Sequence, residues 1–274
     1  MLSGDHIDFV VRAALDEDAP WGDLTSEALI PADAVATAEL RARESGVFSG
    51  GEVFTAAFAL TDSRIDIDVR VSDGEAFAAL MRDRGISRDD TVVVYGDHAN
   101  WWAAYTAWVF ELFGHPDVRL LDGGRDAWMG EERDTSFVVP EYPATDYPVV
   151  ERQDAPFRAF AADLLERKPA QLIDARPASA YLGENTHSES IAAPSLRQGH
   201  IPGAVNVPWG RSVFPNARFR PLDDIRAIYE HFDKDAETVV YCQLGESSSH
   251  TWYVLKHILG FTNAALYDGS WAEW

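Results

Sequence analysis

The pattern of apolar positions divides the chain into a short leading segment and a longer stretch in which buried strands alternate with helices. Ile7, Val10, Val11, Ala14 and Leu15 recur at helical spacing, and the run ends at Ala19-Pro20, where proline bars continuation. Thr37 to Arg43 and Ile65 to Val71 alternate apolar and polar residues, which predicts two half-buried strands and a small α+β unit over residues 1–75. The most apolar stretch, Trp101 to Phe110, is cut short by Glu111 and predicts a buried helix too brief to span a bilayer. Further on, a helix is expected around Phe157 to Arg167, then a strand over Leu172-Ile173-Asp174-Ala175-Arg176. A Gly/Pro turn at Gly199 to Gly203 leads into another strand, and Ile225, Ile228, Tyr229 and Phe232 mark a helix after Pro221.

The second stretch repeats itself. Thr91-Val92-Val93-Val94-Tyr95-Gly96 matches Thr238-Val239-Val240-Tyr241-Cys242, and Leu121-Asp122-Gly123-Gly124 matches Tyr267-Asp268-Gly269-Ser270. One offset of 146 residues relates Gly96 to Cys242, Gly114 to Gly260, Asp122 to Asp268 and Trp128 to Trp274. An unbroken register across strand, loop, helix and next strand marks two copies of one α/β unit with a mostly parallel, doubly wound sheet. Residues 140–148, with Pro140, Pro143 and Pro148, read as an exposed linker between the copies. The expected units are therefore 1–75, 76–145 and 146–274.

The copies differ where chemistry would sit, because Gly96 stands where Cys242 stands. Cys242 is the single cysteine, placed at the carboxyl end of a β-branched strand and followed by Gln243-Leu244-Gly245-Glu246-Ser247-Ser248. Gly245 permits a turn, Ser248 and Ser249 are suited to cap a helix, and Trp252, Leu255, Ile258 and Leu259 give that helix its apolar face. Backbone N–H groups in such a loop, backed by a helix N-terminus, stabilise an anion, including a thiolate. An inert buried thiol is the alternative.

Composition narrows the partners. The net charge is −22, from 45 acidic against 23 basic residues, which argues against nucleic acid. An acidic, lysine-poor surface suits a high-salt cytoplasm as well as an ordinary acidic protein. One cysteine gives no disulfide, and the N-terminus lacks a basic region followed by an apolar core, so an unexported, cytoplasmic protein is expected. The cluster Asp16, Glu17, Asp18, Asp23 reads as a solvated helix end more readily than as a metal site.

Four stretches, Ile173-Asp174-Ala175-Arg176, Gly199-His200-Ile201-Pro202-Gly203-Ala204, Cys242 to Trp252 and Tyr267 to Trp271, resemble the tandem rhodaneses, two-domain thiosulfate sulfurtransferases. Tyr95-Gly96, Asn100 to Tyr105 and Leu121 to Arg125 resemble the inactive first domain of such enzymes, here without its usual opening strand and turn. Ahead of them, Glu17 to Thr25 and Ala38 to Val47 resemble the N-terminal segment of nicotinate-nucleotide pyrophosphorylases (quinolinate phosphoribosyltransferases), whose barrel has no counterpart after residue 75. The resemblance implies an α/β fold of two rhodanese-like doubly wound parallel sheets, the first incomplete, behind a small α+β segment.

It also implies that Cys242 takes the outer sulfur of thiosulfate, or of a 3-mercapto acid, as a persulfide and hands it to a thiol or cyanide. No cofactor and no metal are implied, and the partners are small molecules, with neither nucleic acid nor membrane. Gln243, Leu244, Gly245, Glu246, Ser247 and Ser248 would bind the donor, and Arg176 either faces the anion or makes a structural ion pair. Asp174, His200 and His250 would support the site: Asp174 ordering the loops, His200 stabilising a turn, His250 opening the helix. Gln243 and Ser247 stand where close relatives commonly carry arginine, so the loop offers no cation. A Cys-based phosphatase needs an arginine six residues after the cysteine, and position 248 is serine. A sulfur carrier or interaction module, and a marginally folded fusion product, remain as further readings.

Overall fold

The computed structural model describes residues 4–18, 34–35, 37, 51–62, 64–67, 72–184 and 197–274. Its helices are α1 (Gly4–Asp18), α2 (Gly51–Thr61), α3 (Asp73–Asp83), α4 (Trp101–Leu112), α5 (Gly124–Gly130), α6 (Ala161–Glu166), α7 (Ala178–Tyr181), α8 (Leu222–Ile228), α9 (Glu246–Tyr253) and α10 (Ser270–Glu273). Its strands are β1 (Val92–Val94), β2 (Val118–Leu120), β3 (Gln171–Asp174), β4 (Val205–Asn206), β5 (Thr238–Tyr241) and β6 (Ala264–Leu266).

Among the described residues the named strands all pair in parallel, as alternating strands and helices require. The second half holds four strands in the order β4-β3-β5-β6, and the first half holds β1-β2. β5 is buried along its whole length, which explains why its residues are an uninterrupted apolar and β-branched run rather than an alternating one. In register, Asp174 lies beside Tyr241, so the segment after β3 and the cysteine after β5 leave the same sheet edge together.

The two halves share their hydrogen bonds as well as their sequence pattern. Leu121 N–H donates to the Val94 carbonyl at 2.9 Å, and Tyr267 N–H to Val240 at 2.9 Å. Arg125 N–H donates to Gly96 at 2.9 Å, and Trp271 N–H to Cys242 at 3.1 Å. Each pair keeps the 146-residue offset. The halves also share one core, in which Phe77, Trp108 and Phe113 join Ile173, Val240, Trp252 and Leu266. Helices α4 and α9, the two that follow the equivalent loops, pack on one another across that junction.

Several expectations need correction. The helix expected over Phe157 to Arg167 is confined to α6, because Arg158 bridges to Leu266 beside β6 instead of coiling. Helix α3 runs through the expected boundary at residue 75, fixed by a capping box. The Ser72 hydroxyl accepts the Glu75 N–H, and the Glu75 carboxylate accepts the Ser72 N–H. In the linker, residues 140–144 are exposed as expected, but Tyr147 is buried against Phe77 and His115. Helix α1 forms with Ile7 and Val11 buried, whereas Val10 faces outward. Ile65 to Ile67 carry no strand; residues 38–43 and 68–71, where the rest of the two strands was expected, lie outside the described residues. Among the described residues no helix is long and apolar enough to cross a membrane.

Candidate active site

Cys242 follows β5 directly and is fully buried. The chain then turns at Gly245, whose φ of 107° is left-handed and whose missing Cβ would meet the Asp268 carbonyl at 2.8 Å. That turn lets α9 begin at Glu246, and it carries the Gly245 N–H back onto the Cys242 sulfur at 3.1 Å. The donors of the first turn of α9 have no partner inside the helix and lie at its positive end, beside the sulfur. These features point hydrogen-bond donors at Sγ and suit a negatively charged group bound there. One feature opposes it: the Glu246 carboxylate lies 3.7 Å from Sγ, placed to accept the thiol proton.

The loop is held from behind by α10. Cys242 N–H donates to the Ser270 hydroxyl at 3.1 Å, Ser270 Oγ donates to the Tyr267 carbonyl at 2.9 Å, and Ala272 N–H donates to Gln243 at 3.0 Å. Ser270 is fully buried with a left-handed φ of 55°, and its repeat partner Gly124 has a φ of 52°. Arg158 pairs with Asp268 at 3.1 Å and with Asp154 at 3.1 Å, tying the same corner to the chain before α6. From the first half, Tyr105 of α4 reaches this corner. Burial, and then the Asp268 and Glu246 carboxylates, push its phenol up to about 12, so it stays a proton donor.

The sequence-predicted residues separate into two groups. Gln243, Leu244, Gly245, Glu246 and Ser247 line the loop, Gln243 and Leu244 half-buried and Ser247 buried. Ser248 does not offer its hydroxyl to a ligand or cap the helix: it is fully buried in the first turn and donates to the Gly245 carbonyl at 3.0 Å. Ser249 donates to Glu246 at 2.6 Å in the same way.

Of the two roles expected of Arg176, the structural ion pair is the one that forms, and its place among the donor-binding residues is corrected. Its guanidinium, almost fully buried, grips Asp174 through Nη2 at 2.6 Å and through Nε, and it donates to the Gly199 carbonyl at 2.8 Å. It also lies over the Trp271 ring at 4.5 Å. Asp174 additionally accepts the Tyr241 hydroxyl at 2.7 Å, and that oxygen accepts the Ile201 N–H at 3.0 Å. This network ties β3, β5 and the turn at Gly199 to Ile201 together at the sheet edge. His200 bonds the Tyr181 carbonyl at 2.9 Å and stacks on its ring, a turn-stabilising place.

His250 does not open the helix. It is the fifth residue of α9, packed between Trp209 and Phe219, with Nδ1 unpartnered. Burial pushes it down to about 4, so it is neutral and cannot support the thiolate by charge. Ser270, Arg158 and Tyr105 escaped the sequence reading as individual site residues. For Ser270 the signal was present, because the repeat register sets it against a glycine.

The rhodanese-like domain family matches residues 62–131 and 158–274. The chain belongs to that family. A second family, the N-terminal domain of quinolinate phosphoribosyl transferase, matches residues 23–85, so the two matches overlap across α3. Among rhodanese-like relatives, the thiosulfate sulfurtransferase of Corynebacterium glutamicum is 56% identical over 207 residues, covering 74% of this chain and 69% of its own. The sulfur carrier protein TtuD of Thermus thermophilus is 46% identical over 209 residues, covering 73% of each chain. Among solved structures, YnjE superposes with a TM-score of 0.64 at 27% identity; the match covers 74% of this chain and about half, 51%, of YnjE. The rhodanese fold thus accounts for both halves of the repeat.

Proposed function

We propose that this chain is a thiosulfate sulfurtransferase in which Cys242 carries the sulfane sulfur as a persulfide. The sulfur of Cys242 attacks the outer sulfur of thiosulfate, the S–S bond breaks, and sulfite leaves with the bonding electrons. A thiol or cyanide then removes the sulfur and restores the cysteine. The observation that carries this reading is the Gly245 N–H on Sγ at 3.1 Å, at the mouth of α9 and the carboxyl end of β5. A persulfide anion formed there extends toward the same backbone donors. Residues 146–274 form the catalytic unit, the stretch from α3 to 145 its silent copy, and the chain ahead of α3 the phosphoribosyltransferase-like lead. A single buried free thiol suits a reducing, cytoplasmic setting.

Intact mass spectrometry after thiosulfate treatment tests this. One added sulfur is expected, removable by cyanide and lost in Cys242→Ser with the fold retained. Unchanged turnover in that variant would sink the reading. A sulfur carrier without turnover of its own is the second reading, supported by the complete burial of Cys242 and by the likeness to TtuD. It predicts loading of Cys242 without sustained thiocyanate production.

A further inference from the structure

Glu246 stands out among the groups around the sulfur. Among the described residues it is the one carboxylate placed against Sγ, at 3.7 Å, and no ion pair engages it. Its repeat partner is Asn100, 146 residues earlier, whose side chain turns inward to accept the Gly96 N–H at 2.9 Å and donate to the Leu121 carbonyl at 2.6 Å. In the catalytic half the equivalent N–H is met by Ser270 from α10. Position 246 is thereby released from a structural duty and aimed at the cysteine. For holding a dianionic donor, a carboxylate is the wrong residue there, since it repels the ligand. For moving a proton it is well placed, being within contact of the thiol and partly open to solvent.

We propose that Glu246 is the catalytic proton carrier of the sulfur-loading step, and that the site consequently favours donors whose leaving group must be protonated. This inference rests on the sulfurtransferase reading above. Glu246 takes the proton from the Cys242 thiol as Sγ forms its bond to the donor sulfur, then gives that proton to the departing group. With thiosulfate, thiol and dianion become a persulfide anion and hydrogen sulfite. With a 3-mercapto-2-oxo acid, the C–S bond breaks, its electron pair goes to carbon, and carbon takes the proton. The donor carbon is reduced as its sulfur is oxidised to the persulfide level, so no outside oxidant or reductant enters. A carbon leaving group needs that proton far more than sulfite does. The proton carrier therefore matters most for the 3-mercapto donor.

The test is single-turnover sulfur loading of the full chain, followed by intact mass, with thiosulfate and with 3-mercaptopyruvate as probes. In Glu246→Gln, loading from 3-mercaptopyruvate should fall by about 100-fold or more, the low end of general acid–base contributions. Loading from thiosulfate should hold within about threefold or rise, because removing a negative charge beside a dianion offsets the lost proton transfer. Glu246→Ala should regain 3-mercaptopyruvate loading when formate is added, a rescue that a merely structural residue does not show. Equal losses with both donors, no loss with 3-mercaptopyruvate, no formate rescue, or a wild type that takes no sulfur from 3-mercaptopyruvate would each overturn the role of Glu246. Failure of the wild type to load from either donor would instead overturn the sulfurtransferase reading.

Discussion

The loop after β1 and the loop after β5 are the same turn built twice and used differently. Both return a backbone N–H bond from the following element, Arg125 to Gly96 and Trp271 to Cys242. They part at the residue that opens the helix. In the first half His98, Ala99 and Asn100 all sit at left-handed φ values of 50°, 52° and 69°, and the Asn100 side chain fills the space inside the turn. Such a run costs roughly 1 kcal/mol per residue, and the buried asparagine, with both of its bonds met, offsets that cost. In the second half Gly245 takes the left-handed position alone, Ser270 meets the Cys242 N–H, and the turn is left free around the sulfur. The first half therefore lacks more than a cysteine: its loop has been refilled by Asn100.

Moving the nucleophile breaks this comparison or confirms it, with the largest expected effect. A Cβ at Gly96 would meet only Ala103, at 3.6 Å and 3.8 Å, so Gly96→Cys is sterically permitted. The new thiol should nonetheless take up sulfur at least about 100-fold more slowly than Cys242, as expected when oriented anion donors are absent. Persulfide formation at position 96, followed by peptide mass spectrometry in a Cys242→Ser background, measures it. A rate within about tenfold of Cys242 would mean that refilling the loop does not silence it.

The second contrast lies one turn into the paired helices. Position 250 is a buried histidine in α9, while its partner in α4 is the fully buried Ala104. Burial pushes His250 from 6.5 to about 4. The unfolded chain thus binds a proton below about pH 6.5 that the folded chain refuses until about pH 4, and stability falls as pH drops through that window. The loss amounts to about 3 kcal/mol between those limits. Urea unfolding of wild type and His250→Leu at about pH 7 and about pH 4 should show a shallower acid loss in the variant by about that amount. Parallel pH profiles would place the acid sensitivity in the carboxylates instead.

How much of this was legible in the sequence follows from which interactions are local. The β-branched run, the lone cysteine at its end and the 146-residue register are linear features, and they gave β5, its loop and the matched bonds of the first half. The start of α9 lies ahead of the expected one because Ser248 and Ser249 look like caps, whereas Gly245 turns the chain three residues sooner and leaves both serines bonding back within the first turn. The capping box at Ser72-Asp73-Gly74-Glu75 was a local signal overlooked in favour of a domain boundary. Arg176 and Tyr105 were undecidable without tertiary structure. The first is held by Asp174, two residues before it, and by Gly199 and Trp271, far along the chain. The second reaches the site from the other half.

The smallest effect concerns charge, which neither loop supplies in cationic form. Position 243 is glutamine beside Cys242, and its repeat partner is Asp97, which pairs outward with Arg125 at 3.0 Å. Thiosulfate, carrying two negative charges, must approach a chain of net charge −22 and then the Glu246 carboxylate. A guanidinium at 243 adds a charge-assisted donor beside the sulfur, favours the thiolate over the thiol and holds the departing sulfite, contributions of about 1–3 kcal/mol together. Gln243→Arg should therefore raise kcat/KM for thiosulfate by about tenfold, the equivalent of about 1.4 kcal/mol. Ser247→Arg should gain less, because position 247 is buried and a long side chain must first displace its neighbours. Added salt should speed the wild type and narrow its gap to Gln243→Arg, since screening acts on exposed charges. If Gln243→Arg handles thiosulfate no better than wild type at low salt, side-chain charge is not limiting. The Gly245 N–H and the first turn of α9 then suffice for the anion, and the difference between the two halves reduces to which side chain fills the turn.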